Sequence, residues 1–118
     1  MISRVTFTLD CQDAEVLAGF WSDALGYSKQ GPFGTYWMAV PPDSESPQWI
    51  VFQQVPESKT GKLRLHLDLH VERDLDAEVR RLEELGARRA SAEVVETGPA
   101  SWVVMSDPEG NEFCVVQP

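Results

Sequence analysis

Polar and apolar residues alternate through residues 63–71, which read Leu-Arg-Leu-His-Leu-Asp-Leu-His-Val. Because successive side chains of a strand point to opposite faces, the even-numbered polar residues share one face and the leucines share the other. His66 is therefore a candidate catalytic residue acting as a general base, since imidazole is the usual proton carrier near neutral pH. We expect Asp68 either to orient His66 or to pair with Arg64, and we favour a structural hydrogen bond over catalysis for it. His66 and His70 lie about 13 Å apart along a strand, which is too far for both to bind one ion directly.

The beginning of the chain repeats this alternation. Residues 4–10, Arg-Val-Thr-Phe-Thr-Leu-Asp, predict a half-buried strand whose polar face carries Thr6 and Thr8. Its apolar side chains are expected to pack under the helices and are Val5, Phe7 and Leu9.

The end of the chain adds two more candidates to the polar face. Residues 112–117, Glu-Phe-Cys-Val-Val-Gln, predict the last strand, with Glu112 and Cys114 on the polar side. A Phe-Gln pair in the predicted strand 48–55 echoes the Phe-Cys pair of the last strand, so Gln53 is expected to point with Cys114. In an apolar strand Cys114 is expected to be a small packing residue rather than a nucleophile.

Four tryptophans bear on whether the polar face is a ligand site or a solvated surface. Trp21 falls on the apolar face of the first predicted helix. Trp37, Trp49 and Trp102 fall in predicted strands, where they could wall a cavity or pack in the core. Polar sheet faces are also often simply in contact with water, so both interpretations stay open at this point.

An internal repeat organises these segments. Each alternating strand is followed by a helical pattern that begins near an aspartate able to cap it and ends in Leu-Gly. The two Leu-Gly pairs, at 25–26 and 85–86, lie about 60 residues apart. The apolar helix faces comprise Val16, Leu17, Phe20, Trp21 and Leu25 in the first helix and Leu75, Val79, Leu82 and Leu85 in the second. Strands are predicted after the helices at 35–40, 48–55, 90–96, 101–106 and 112–117, with a tight turn at 107–111.

This order of elements predicts an α+β fold made of two βαβββ modules, at about 1–60 and 61–118. We expect the modules to form a single domain, 1–118, since half of the chain could scarcely bury a core of its own.

The composition and charge of the chain argue against several classes of binding partner. The net charge of −9 over 118 residues argues against nucleic acid and against an anionic membrane surface. No apolar run approaches the roughly 18–20 residues that span a bilayer. The first residues enter the alternating pattern without a signal-peptide core, so a cytoplasmic location is expected. Two cysteines without a Cys-x-x-Cys pair are expected to be reduced thiols.

Several of these motifs occur together in one known family. The Phe-Trp…Leu-Gly-Tyr segment at 20–27, the His66-x-Asp68 strand and the Asp-Pro-Glu-Gly-Asn-Glu-Phe segment at 107–113 carry the resemblance. In this order, and with paired βαβββ modules, they resemble the glyoxalase/bleomycin-resistance branch of the vicinal-oxygen-chelate superfamily over nearly the whole chain. The resemblance implies an incompletely closed eight-stranded β-sheet cup around a small-molecule ligand, helices on the outside, and commonly a homodimer.

The resemblance also implies where metal ligands would lie. Metal-dependent members hold one divalent ion, a Lewis acid for two substrate oxygens, with His and Glu side chains from four strands. The resemblance places these four ligand positions on Thr6, near Gln53, on His66 and on Cys114. Glu112 lies two residues before Cys114. Neutral hydroxyl and amide oxygens hold a divalent ion poorly, so His66 is the one good match and no cofactor is expected. A divalent metal such as Zn, Ni, Mn or Fe is the alternative.

Three hypotheses follow. The first is a metal-independent binder that stacks an aromatic or drug-like metabolite on Trp37, Trp49 or Trp102, with His66, Gln53 and Asp68 fixing its orientation. The second is a lyase, isomerase or dioxygenase in which His66 recruits a metal or acts as a base. The third is an accessory domain whose dimer interface is its purpose.

Overall fold

The computed structural model describes residues 1–43, 45–46 and 48–118. Backbone contacts divide the chain into two compact units, Met1–Lys59 and Thr60–Pro118. Each unit carries one helix and its own sheet, and neither sheet closes into a barrel. The predicted α+β class with paired βαβββ modules is confirmed. In the part of the chain described here, neither helix has the length and apolar character needed to cross a membrane.

The first unit is a βαβββ module. Its elements are β1 (Phe7–Cys11), α1 (Ala14–Leu25), β2 (Ser28–Phe33), β3 (Tyr36–Val40) and β4 (Ile50–Gln54). The strand order is β1-β4-β3-β2, with β1 parallel to β4 and the other pairs antiparallel. The strand β2 was not predicted, because Ser-Lys-Gln-Gly-Pro-Phe lacks apolar alternation; an edge strand tolerates such a sequence.

Helix α1 begins and ends as its sequence predicts. The Asp13 carboxylate accepts a hydrogen bond from the Val16 N–H at 3.1 Å, and Gly26 ends the helix in the left-handed conformation. Leu17, Phe20 and Trp21 are buried, and α1 packs against β3 and β4. The placement of Val16 on the buried face was wrong, since its side chain is 56% exposed.

The second unit repeats the arrangement with an interrupted edge. Its elements are β5 (Asp68–His70), α2 (Leu75–Leu85), β6 (Arg88–Arg89), β7 (Val95–Thr97), β8 (Ala100–Ser106) and β9 (Glu112–Gln117). The strand β9 lies between β5, which is parallel to it, and β8, which is antiparallel. Both β6 and β7 pair with the other edge of β8, so together they occupy one strand position. Counted this way, the two sheets supply the eight expected strand positions.

Helix α2 covers the apolar face of the second sheet. The Asp74 carboxylate accepts from the Ala77 N–H at 3.1 Å, and the predicted core residues Leu75, Val79 and Leu82 are buried. The sheet contributes buried Val103, Met105, Phe113 and Val115 to this core. Their alternation along β8 and β9 leaves the intervening side chains on the opposite face.

Two predicted strands are shorter than expected, and this corrects part of the predicted core. Pairing begins at Phe7 in the first strand and at Asp68 in the fifth. Val5 and Leu65 precede these points and are 67% and 69% exposed, and Phe7 is 38% exposed. Alternation predicted the faces of a strand but not where strand pairing would begin.

Candidate functional site

A cavity of about 540 Å³ opens on the face of the second sheet that α2 does not cover. Its polar lining comes from Lys62, His66, Asp68, His70, Glu112 and Cys114. Its apolar lining comes from Leu63, Ala100, Trp102, Val104, Phe113 and Val116. The volume and the mixed lining are typical of a small-molecule site. The predicted site residues His66, Asp68, Trp102, Glu112 and Cys114 therefore share one cavity.

His66 and Asp68 form a pair in the lining of this cavity. The His66 Nδ1 lies 3.1 Å from the Asp68 Oδ1, and both side chains are 48% exposed. The two residues are separated by one position in an extended segment, so they lie on the same face. Of the two partners considered for Asp68, His66 is the one that the structure provides. This contact fixes the orientation of the imidazole and leaves its Nε2 to contact a ligand.

Cys114 lies directly opposite Asp68 in the parallel pairing of β5 and β9. Burial raises the pKa of the Cys114 thiol, and the charge of Asp68, a hydrogen bond to it and the charge of Glu112 raise that pKa further. The charge of Lys62 lowers the pKa of this thiol. The thiol is therefore protonated at neutral pH, which makes it a weak nucleophile in the metal-free protein.

A second ion pair lines the cavity. Lys62 Nζ lies 2.7 Å from Glu112 Oε2, and the lysine side chain is largely exposed. Lys62 was missed by sequence reasoning, because it precedes the alternating segment and lies 50 positions from Glu112 in the sequence. Together with His66 and Asp68, this pair supplies hydrogen-bond donors and acceptors at the polar part of the cavity.

Trp102 provides the largest apolar side chain of the cavity. It lies on β8 opposite Val116 of β9 and is partly exposed. Val104 lies two positions along on the same face. An indole beside aliphatic side chains offers a flat surface on which a planar ligand can stack.

The remaining predicted residues lie in the first unit. Thr6 and Thr8 are exposed, Thr6 immediately before β1 and Thr8 within it. The Arg4 guanidinium carbon lies 4.3 Å from the centroid of the Trp49 ring, and Lys29 Nζ lies 4.8 Å from that of Trp37. These contacts place a cation over each indole. The ligand-binding roles predicted for these residues stay predictions.

Gln53, also in the first unit, has local partners. Its Nε2 donates to Thr35 Oγ1 at 2.5 Å and lies 3.5 Å from the Thr35 carbonyl oxygen. Its predicted ligand-binding role is likewise untested.

The four-ligand metal site implied by the resemblance does not fit the donors of this chain. Thr6 and Gln53 would offer a hydroxyl and an amide oxygen, which carry no charge to hold a divalent ion. Within the second unit, however, ligand atoms of His66, Asp68 and Cys114 all lie within 4.8 Å of one another. The donor set found in the structure is thus different from the one that the resemblance implies.

Comparison with known proteins places this architecture in a family. Residues 6–116 match the family model of the glyoxalase-like domain. No curated protein matches the chain in sequence.

Solved structures share the fold at low sequence identity. A glyoxalase/bleomycin resistance protein/dioxygenase family enzyme from Burkholderia phytofirmans superposes with a TM-score of 0.76 at 18% identity, covering 95% of both chains. The fosfomycin resistance protein FosX from Listeria monocytogenes, complexed with Mn(II) and 1S,2S-dihydroxypropylphosphonic acid, superposes with a TM-score of 0.75 at 15% identity. That match covers 98% of this chain and 90% of FosX. A hypothetical protein from S. aureus superposes with a TM-score of 0.72 at 18% identity, and the match covers 100% of this chain and 95% of that protein.

The family model spans nearly the whole chain, and the solved structures above share its fold. The protein therefore belongs to the glyoxalase-like domain family of the vicinal-oxygen-chelate superfamily.

Proposed function

We propose that this protein binds a small aromatic or drug-like metabolite in the cavity of its second unit. The observation that carries the proposal is the lining of that cavity, in which an apolar surface around Trp102 adjoins the polar pairs His66–Asp68 and Lys62–Glu112. Such a combination binds a planar ring by burial and orients it by a few hydrogen bonds. Binding of this kind needs no metal.

The charges of the cavity narrow the ligand class. Two carboxylates, those of Asp68 and Glu112, line the cavity, and the chain as a whole carries a net charge of −9. A neutral or cationic ligand is therefore favoured over an anionic one. Hydrogen-bond donors on the ligand would meet carboxylate oxygens of Asp68 or Glu112.

A panel of planar neutral, cationic and anionic aromatic compounds tests the proposal. Binding is expected to quench tryptophan fluorescence and to raise the melting temperature, since a ligand specific for the folded state stabilises it. Replacing Trp102 by Ala should weaken binding by about 2- to 12-fold, from the about 0.5–1.5 kcal/mol that aromatic contacts contribute beyond burial. The matched control is Phe33→Ala, which removes an aromatic residue that is 41% exposed and lies outside this cavity. If no compound class binds, or if both variants weaken binding equally, the proposal is wrong.

A second candidate function is a metal-dependent lyase, isomerase or dioxygenase. The cluster of His66, Asp68 and Cys114 favours it, and the structural relative FosX was complexed with Mn(II). In this case His66 is the catalytic candidate, because its imidazole can bind a metal or carry a proton. Turnover of an identified substrate that is unchanged in His66→Ala would rule out this function.

We also propose that the chain forms a homodimer. In the first unit Ile2 and Val5 are 86% and 67% exposed, and they lead into β1, which is an edge strand of its sheet. Exposed apolar residues beside a strand edge favour association with another chain. Light scattering at working concentration is expected to give twice the chain mass, and a monomer would contradict the proposal.

A further inference from the structure

Two aromatic side chains face each other across one row of the second sheet. Val116 of β9 is the direct partner of His70 on β5 and of Trp102 on β8, and all three side chains line the cavity. Side chains of a strand stand roughly perpendicular to the sheet, so the imidazole and the indole form two walls of a slot. The floor of this slot, between the two walls, is Val116.

The width of the slot suits one planar ring. Neighbouring strands lie about 4.8 Å apart, so the backbones of His70 and Trp102 are about 9.6 Å apart. A ring standing over Val116 would have its centre about 4.8 Å from each wall, within the about 4.5–7 Å at which aromatic rings pair. His70 is exposed and Trp102 is half-buried, so a ligand can enter the slot from solvent.

A carboxylate lies one row along the strands from this slot. Asp68 is two residues before His70 on β5, and it lies opposite Cys114, which is two residues before Val116 on β9. A rise of about 3.3 Å per residue and a strand spacing of about 4.8 Å put the backbones of Asp68 and Val116 about 8 Å apart. A charged hydrogen bond of about 2.7–2.9 Å to Asp68 then leaves about 5 Å between the ligand nitrogen and the centre of the ring.

The Asp68 carboxylate is the acceptor in this cavity that best suits a cationic group of the ligand. The partners that the structure shows for it are the His66 imidazole, at 3.1 Å, and the Cys114 thiol, neither of which carries a permanent positive charge. The Glu112 carboxylate, by contrast, lies 2.7 Å from the Lys62 ammonium group. The Asp68 side chain is 48% exposed, so an ammonium group can reach it without losing all of its water.

We propose that the cavity binds a primary arylalkylamine, with the planar ring between His70 and Trp102 and the ammonium group on Asp68. This inference rests on the proposed small-molecule function and names the class of ligand. The linker should contain two or three carbon atoms, since bonds of about 1.5 Å then span the distance of about 5 Å between ring and nitrogen.

Matched ligands test the ring and the amine separately. Ligand-observed NMR at neutral pH compares phenylpropylamine with phenylpropanol, which keeps the ring and the linker but carries no charge. We expect the amine to bind at least about 5-fold more tightly, which corresponds to about 1 kcal/mol. Cyclohexylpropylamine keeps the amine but has no flat face, so it should bind more weakly than phenylpropylamine. Benzylamine, whose linker has one carbon atom, should also bind more weakly.

Protein variants assign each contact. Asp68→Asn should remove the preference for phenylpropylamine and leave the affinity for phenylpropanol within about 2-fold, which also shows that the variant is folded. The control Glu72→Gln removes one negative charge from an exposed residue outside the cavity lining and should keep the preference. His70→Ala should weaken the binding of both phenyl compounds by about 2- to 12-fold.

The two proposals fail in different ways. Equal affinity for amine and alcohol, a preference that survives Asp68→Asn or disappears in Glu72→Gln, or binding unchanged by His70→Ala would overturn the arylalkylamine inference. The proposed function still stands in those cases, because phenylpropanol binds. If none of the aromatic compounds binds, phenylpropanol included, both the proposed function and this inference are wrong.

Discussion

The turn between β8 and β9 should control the stability of the second unit through one buried carboxylate. Asp107 is 3% exposed, and its side chain accepts hydrogen bonds from the Glu109 N–H at 2.9 Å and from the Asn111 N–H at 3.0 Å. The Asn111 side-chain amide also donates to both Asp107 oxygens, at 3.1 and 2.9 Å. The carboxylate therefore closes the turn that sets the register of the two strands.

Replacing Asp107 by Ala removes every one of these acceptors. Asn111 is 5% exposed, so its backbone N–H and its amide would both lose a partner in a place that water reaches poorly. Each buried unpaired donor costs about 1–3 kcal/mol, which gives a loss of about 2–6 kcal/mol in the free energy of unfolding. That is a large part of the about 5–15 kcal/mol by which domains are usually stable.

Urea denaturation followed by far-ultraviolet circular dichroism measures this loss. Asp107→Asn keeps one acceptor oxygen and should lose less stability than Asp107→Ala. Glu84→Ala removes an exposed carboxylate from α2 and should change the free energy of unfolding by less than about 0.5 kcal/mol. A double-mutant cycle with Asn111→Ala should give a coupling energy of about 0.5–3 kcal/mol. An Asp107→Ala protein as stable as the Glu84→Ala protein would refute the assigned role of the carboxylate.

Two further predictions concern packing. Phe113→Ala should destabilise the protein by about 3–5 kcal/mol in urea denaturation, because Phe113 is 1% exposed, whereas Val16→Ala should change stability by about 0.5 kcal/mol or less. Gly31→Ala should lower stability by about 1–3 kcal/mol, because an added Cβ would lie 2.7 Å from the Trp37 ring. Gly61→Ala meets no atom within 4 Å and serves as its control in the same thermal melt. Equal stability of the two members of either pair would contradict the packing described above.

Local sequence rules predicted the helices better than the strands. Helices α1 and α2 begin after the predicted aspartate caps and end at the predicted Leu-Gly pairs, because capping and termination depend on neighbours within one turn. The strand β2 was not predicted from the sequence, because its residues are all exposed and their extended conformation depends on pairing with β3. The residues at which strands begin were also predicted wrongly: Val5 and Leu65 were expected in buried strand positions, and both are exposed.

For the candidate site, alternation predicted which side chains share a face but not which of them are in contact. His66, Asp68, Glu112 and Cys114 were expected on polar faces, and in the second unit they line one cavity. Which of these side chains are in contact was left open, because alternation fixes the face of each strand but does not say which residue of a distant strand lies opposite. Lys62 could not be found at all by periodicity, since it lies outside the alternating pattern.

The sequence by itself determined the repeated order of strands and helices, the apolar faces of the helices and the acidic charge. These properties follow from backbone periodicity and composition, which act along the chain. Only the tertiary structure decided that Asp68 lies opposite Cys114 and that Lys62 reaches Glu112. Both contacts join residues more than 40 positions apart. The pairing of β5 with β9 places Asp68 opposite Cys114, and side-chain packing and hydrogen bonding across the sheet fix that register.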